Sequence, residues 1–207
     1  MLIRHGETVG QSSIRLYGAT DVALAPEGER QVARAGDALV GEHFDAVFTS
    51  PLQRARRSAE IVLDCMKLPH SAIEEVEGFR EVDFGRWEGW TWAEVAERDP
   101  EGRARSTSEG PDFTYPGGEA RRAFVQRVQA AVGPSIEARF DAGAERVLVV
   151  VHKGVIKAIA ARLLECEASE LNGLALPLGA LRRMHASVED GERRWTLAPD
   201  PDDAARA

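Results

Sequence analysis

The chain has 207 residues, 43% hydrophobic and 29% charged, with a formal net charge of −8 at pH 7. That acidic balance argues against a nucleic-acid binder, which needs a basic footprint, and no apolar run approaches the ~20 residues of a membrane span. No signal peptide stands ahead of Arg4, and two unclustered cysteines, Cys65 and Cys166, suggest neither a disulfide framework nor a zinc cluster, so the expectation is a cytoplasmic protein with two buried, reduced thiols.

In chain order, Leu2-Ile3 reads as a very short strand running into Arg4-His5-Gly6-Glu7-Thr8. Pro26 to Val40 carries apolar residues at Val32, Ala35, Ala38 and Leu39, the spacing of a helix, but Ala25 stands where a capping side chain would add ~1 kcal/mol. Residues 45–50, "DAVFTS", read as a second strand. Ser50-Pro51-Leu52-Gln53 then predicts a helix with a serine cap and proline in its first turn, running to about Met66. Thr91-Trp92-Ala93-Glu94 is a capping box opening a shorter helix that Asp99-Pro100 ends.

Ala120 to about Phe140 predicts a long helix kinked at Gly133-Pro134. "RVLVVVH" at 146–152 is a β-branched run suited to a strand covered on both faces, and Gly154 to Leu164 predicts a further helix. Ala180–Val188 and Arg193–Ala198 around Asp190-Gly191 read as a hairpin, and residues 199–207 as a disordered tail. Alternating strands and helices imply a three-layer α/β/α sandwich with a mostly parallel central sheet, organised as one domain over 1–198 with an excursion around 87–117.

Such sheets bind ligands beyond the carboxyl ends of their strands, which directs attention to Arg4-His5, Thr49-Ser50 and His152-Lys153. The helices that start after Ser50 and His152 can aim free N–H groups at an anion there. Arg4 and Arg54, each able to grip two oxygens in a fork, would complete a positive pocket in an acidic protein, suited to a phosphoryl group.

These blocks resemble the histidine phosphatase superfamily in its phosphoglycerate-mutase-like branch. The resemblance is carried by "LIRHGET" (2–8), "RLYGATDVALAPEGERQV" (15–32), "TSPLQRARRSAEI" (49–61), "FREVDFGRWEGWT" (79–91), "YPGGEA" (115–120) and "VLVVVHKGVIKAIA" (147–160), in the family's order. It implies a phosphoglycerate-mutase-like fold and His5 as a nucleophile that becomes a phosphohistidine. It further implies Arg4, Arg54 and His152 on the transferring oxygens, and Glu81 as proton donor. Glu81 could hold a proton near pH 7 only with a raised pKa, for instance from partial burial near Trp87 and Trp90. No metal or other cofactor is implied, and the partner is a small phosphomonoester.

The chain departs from the family pattern at Gln11, where an asparagine is usual, and at Lys153, where a glycine is usual. Gln11 is expected to donate an amide hydrogen bond to phosphate. Arg15, Tyr17 and Lys153 are candidates to meet the substrate, although Lys153 could equally point to solvent. Trp90, Trp92, Phe113 and Tyr115 could stack on a base or sugar, or pack into the core. The favoured function is phosphomonoester hydrolysis. A cofactor-dependent phosphoglycerate mutase is the alternative, disfavoured by the acidic Glu94, Glu97, Asp99, Glu101 and Glu109 before "PGGE". An inert phosphate-binding module that retains the fold is the third.

Overall fold

The computed structural model describes residues 1–199. A five-stranded sheet has the order β3-β2-β4-β1-β5. Its strands are β1 (Leu2–Arg4), β2 (Ala46–Thr49), β3 (Ile73–Glu75), β4 (Val147–Val151) and β5 (Leu181–Arg182). β1, β2, β3 and β4 run parallel, and β5 closes the edge antiparallel to β1. The sheet is therefore mostly parallel, as expected.

Two apolar clusters sit on opposite faces, and the period-two alternation of β4 sorts its residues between them. Val147, Val149 and Val151 join Phe124, Val128, Ile156 and Ile159 from α5 (Arg121–Val132) and α7 (Lys153–Leu164). Leu148 and Val150 join Val32, Ala35, Ala59 and Val62 from α1 (Pro26–Asp37) and α2 (Gln53–Met66). The three layers follow directly.

Several predicted elements differ in detail. Ala25 does cap α1 without a side-chain bond. α2 starts at Gln53 and not at Ser50, because the Ser50 hydroxyl accepts from Leu52 N–H at 3.3 Å in a tight turn. The first helical N–H, of Gln53, is held at 2.9 Å by Asp21 Oδ1 from a distant loop. The kink at Gly133-Pro134 is a π-helical stretch, Gly133–Glu137, between α5 and α6 (Ala138–Asp141).

The hairpin forms as β6 (Met184–Glu189) and β7 (Glu192–Leu197), but β5 separates from it and joins the main sheet. The cysteines are free thiols and half-buried, less enclosed than expected. The predicted tail, beyond Pro199, lies outside the described residues.

The 87–117 segment folds as α3 (Trp92–Arg98), α4 (Pro100–Ser108) and a short turn, Gly110–Asp112. The Thr91–Glu94 capping box is formed, and Asp99 ends α3 while capping α4 through Gly102 N–H. Trp87, Phe113 and Tyr115 are core residues here, with Trp87 stacked on Phe113 at 5.4 Å. The open question about these aromatics is thereby answered for packing. Trp92 is 42% exposed beneath Arg103, and Trp90 lies under Arg98. No helix among the described residues is long and apolar enough to cross a membrane.

The loop after β1 approaches α1 so closely that a Cβ on Gly6 would fall inside the Gly28 carbonyl, and one on Gly28 inside the Glu7 carbonyl. Two glycines thus let helix α1 press the loop that carries His5 into place.

Candidate active site

β2, β4 and β1 are adjacent, so their carboxyl ends bring three segments together. His5 follows β1, His152 follows β4, and Arg54 lies in the first turn of α2 after β2. All three are buried, His5 4% exposed and the other two 0%. The imidazoles of His5 and His152 meet edge to face with centroids 5.1 Å apart.

The His5 ring is fixed by its own loop: Nδ1 lies 2.7 Å from the Gly6 carbonyl oxygen. A carbonyl only accepts, so Nδ1 carries the proton and Nε2 keeps its lone pair. Burial, then Arg54 and Arg4, push the His5 pKa well below the usual histidine value of 6.5. The same burial, followed by Arg54, His5, Arg4 and Arg80, depresses His152. Two neutral imidazoles therefore share a cationic pocket near pH 7.

Arg54 is oriented by backbone. Its Nη1 donates to Thr20 O at 2.9 Å, and its Nη2 to Gly18 O at 2.7 Å and Tyr17 O at 3.2 Å. Arg4 is anchored by Nη1 on Leu176 O at 2.6 Å. Four buried nitrogens find no partner among the described residues: Nε of Arg4, Nε of Arg54, and both ring nitrogens of His152. Buried donors are almost always paired, so these nitrogens leave hydrogen-bonding capacity for an anion within one cationic pocket.

Glu81 stands beside this pocket. Its Oε2 accepts from Gly154 N–H at 3.1 Å and its Oε1 from Val82 N–H at 3.0 Å. Burial raises its pKa above the usual 4.5, against the lowering effect of those two bonds and of Arg54 and Arg4. Gly154 and Phe124 crowd together beside it, and a Cβ on Gly154 would come within 2.5 Å of Glu81 Oε1. At each helix start expected to face the anion, one N–H is given to a carboxylate: Gln53 of α2 to Asp21 and Gly154 of α7 to Glu81.

The remaining candidates are less central. Gln11 is exposed and adopts a left-handed φ of 64°. Arg15 is committed to Gly89 O at 2.7 Å and Glu94 Oε2 at 2.9 Å, which braces the 87–117 segment. Tyr17 is half-buried and serves Arg54 through its carbonyl. Lys153 is exposed.

Sequence reasoning missed Glu88 and Arg80. The Glu88 carboxylate accepts from Gly18, Ala19, Thr20 and Phe84 N–H groups at 3.0–3.2 Å. It thereby holds the loop whose carbonyls aim Arg54. Glu88→Gln puts an NH₂ against those donors, so we expect a stability loss of about 1–3 kcal/mol. Weaker inhibition by inorganic phosphate should accompany it, measured by denaturant unfolding and by a phosphate inhibition constant. Only its place in "GRWEG", inside a block already singled out, could have drawn attention to Glu88.

Fold and site together define an α/β sandwich protein with a cationic, two-histidine pocket at the carboxyl edge of its sheet. The chain belongs to the histidine phosphatase superfamily (branch 1), whose family model matches residues 1–198. It is 30% identical to the uncharacterized phosphatase PhoE of Bacillus subtilis, over 95% of this chain and 90% of that protein. It is 31% identical to a 2,3-bisphosphoglycerate-dependent phosphoglycerate mutase of Cytophaga hutchinsonii, over 88% of this chain and 84% of that one. The alpha-ribazole phosphatase structure from Shigella flexneri superposes with a TM-score of 0.79 at 26% identity, covering 95% of this chain and 93% of that one.

Proposed function

We propose that this phosphatase hydrolyses a small phosphomonoester through a phosphohistidine on His5. The observation that carries the reading is the His5 Nδ1–Gly6 O bond of 2.7 Å, which presents a neutral Nε2 as nucleophile. Nε2 attacks phosphorus while the bond to the leaving oxygen breaks, and protonated Glu81 gives that oxygen its proton. Arg4, Arg54 and His152 hold the equatorial oxygens, with charge on the guanidiniums where other phosphoryl-transfer enzymes place a metal. Water then attacks the phosphohistidine, Glu81 takes back a proton, the P–N bond breaks, and neutral His5 returns with inorganic phosphate released.

The Gly6 carbonyl supports the covalent state as well, because the imidazole becomes more acidic at Nδ1 once Nε2 bears phosphorus. Burial raises the Glu81 pKa and depresses that of His5, and these opposite shifts are the ones that an acid and a neutral nucleophile require.

The test is release of inorganic phosphate from p-nitrophenyl phosphate and small sugar phosphates in EDTA. Release that persists in the chelator is the expected result. No release, with interconversion of 2- and 3-phosphoglycerate in the presence of 2,3-bisphosphoglycerate, would make the chain a mutase. Binding of phosphate with neither activity would make it an inert module.

A further inference from the structure

Beside the histidine pocket lies a cleft of about 360 Å³ lined by Arg80, Glu81, Asp83, Glu119 and Arg127. Ala19 and Gly118 complete the lining with no side chain larger than a methyl group. Because Glu81 forms part of this wall, the cleft is within reach of a leaving group whose ester oxygen takes its proton from Glu81.

The charges in the cleft are nearly balanced, and one pair is already satisfied internally. Arg127 grips Glu119 with two bonds, at 3.0 and 2.8 Å, and gives its Nη1 to Gly78 O and Arg80 O. Asp83 uses Oδ1 on Gly85 N–H at 2.8 Å, and its second oxygen makes no hydrogen bond among the described residues. The ion pair of Arg80, to the 78% exposed Glu77, is loose at 3.5 Å. A ligand therefore meets one available guanidinium and one available carboxylate oxygen.

Two guanidiniums, of Arg80 and Arg127, face the carboxyl groups of Glu81, Asp83 and Glu119, so the lining has no surplus of positive charge. A leaving group with its own negative charge would gain from Arg80 and lose to Asp83 and Glu119. A nucleobase would find no platform, since no aromatic side chain lines the cleft and Trp87, Phe113 and Tyr115 are buried in the core. Hydroxyl groups both give and accept, and so suit an acceptor and a donor set side by side. At roughly 30 Å³ per water molecule, the cleft holds the volume of about a dozen waters, room for a monosaccharide together with several waters.

We propose that this cleft receives the leaving group and selects a small, uncharged, hydroxyl-rich one, of polyol or monosaccharide type. The proposal rests on the hydrolytic reading and names the substrate class of the same site. Arg80 and Asp83 are its specificity residues, on either side of the catalytic Glu81 in the chain.

The experiment compares kcat/KM for glucose 6-phosphate, ribose 5-phosphate, 3-phosphoglycerate and adenosine 5′-monophosphate, with p-nitrophenyl phosphate as reference. The sugar phosphates are expected to lead 3-phosphoglycerate and the nucleotide by about tenfold. Asp83→Asn keeps the acceptor for Gly85 N–H but removes a negative charge, and Arg80→Gln removes a positive one. The ratio of 3-phosphoglycerate to glucose 6-phosphate should rise about fivefold in the first and fall about fivefold in the second. A wild type that prefers 3-phosphoglycerate or the nucleotide overturns the proposal, as does a ratio that moves the same way, or not at all, in the two variants. Turnover of p-nitrophenyl phosphate without sugar-phosphate selectivity sinks the cleft assignment alone. No release from any ester, p-nitrophenyl phosphate included, sinks the hydrolytic reading and this proposal together.

Discussion

His5→Ala is expected to lower kcat by about 10⁴-fold or more while leaving a folded protein. The step lost is the attack itself, since neither His152 nor a solvent molecule supplies an imidazole lone pair at the place Nε2 occupies. His152 cannot substitute by small movement: it is fully buried at the end of β4 and its ring centroid is 5.1 Å from that of His5. The cost in stability should be modest, about 1–3 kcal/mol, because the change removes one buried ring and one hydrogen bond.

Rapid quench with a ³²P-labelled ester should trap label on the wild type, stable to alkali and labile to acid, and none on the variant. Label retained by His5→Ala would move the covalent step to another residue. Because the His5 pKa lies well below 6.5, its nucleophilic form persists at neutral pH. Its loss on protonation sets the acid limb of kcat/KM below that value, so activity should fall as pH drops through the depressed pKa.

The layers of the fold were legible because the strongest signal, the apolar run of β4, belongs to the strand at the centre of the sheet. The helices on either side carry ordinary apolar periodicity. β3 was hidden because Ile73-Glu74-Glu75 is an edge strand three residues long whose two glutamates are exposed, so neither alternation nor an apolar run marks it. α4 was hidden for a related reason. "PEGRARSTS" has no apolar stripe, and what holds it is polar: the Asp99 cap, Arg103 lying over Trp92, and Arg121 donating to the Ser106 carbonyl.

In the site, residues at strand ends could be read from the chain, since topology alone brings Arg4, His5 and His152 to one edge. The supports could not. Asp21 reaches Gln53 and Glu88 reaches Gly18 through contacts 32 and 70 residues apart in sequence, and nothing in either local stretch announces them. Asp21 also explains the misplaced helix start, because a carboxylate from outside did what Ser50 was expected to do. Arg15 shows the converse: a residue inside a matching block is spent on Glu94 and Gly89, holding the 87–117 segment to the loop that aims Arg54.

Glu81→Gln should lower kcat by about 10²–10⁴-fold for alkyl phosphates, whose alkoxide needs a proton to leave. For p-nitrophenyl phosphate, whose phenolate departs unaided, the loss in the first step should be far smaller, and labelled phosphoenzyme should accumulate because the water that attacks it has lost its base. Equal losses for both esters would show that Glu81 serves the fold or the binding of phosphate, and not proton transfer. The pH dependence gives a second, independent reading. Glu81 has a folded pKa raised above 4.5, so its acid form, and with it alkyl phosphate turnover, is lost as pH rises through that raised value. Between 4.5 and the raised value the native protein binds more protons than the unfolded chain. The contribution of Glu81 to stability is therefore present at low pH and declines as pH rises across that window. Glutamine cannot titrate. Its carboxamide also sets an NH₂ against either Gly154 N–H or Val82 N–H, so the variant starts from a different stability, and the comparison must be of slopes. Thermal unfolding from pH 4.5 upward should show the wild type losing stability relative to the variant, and parallel curves would mean that the Glu81 carboxyl is ionised in the native state throughout.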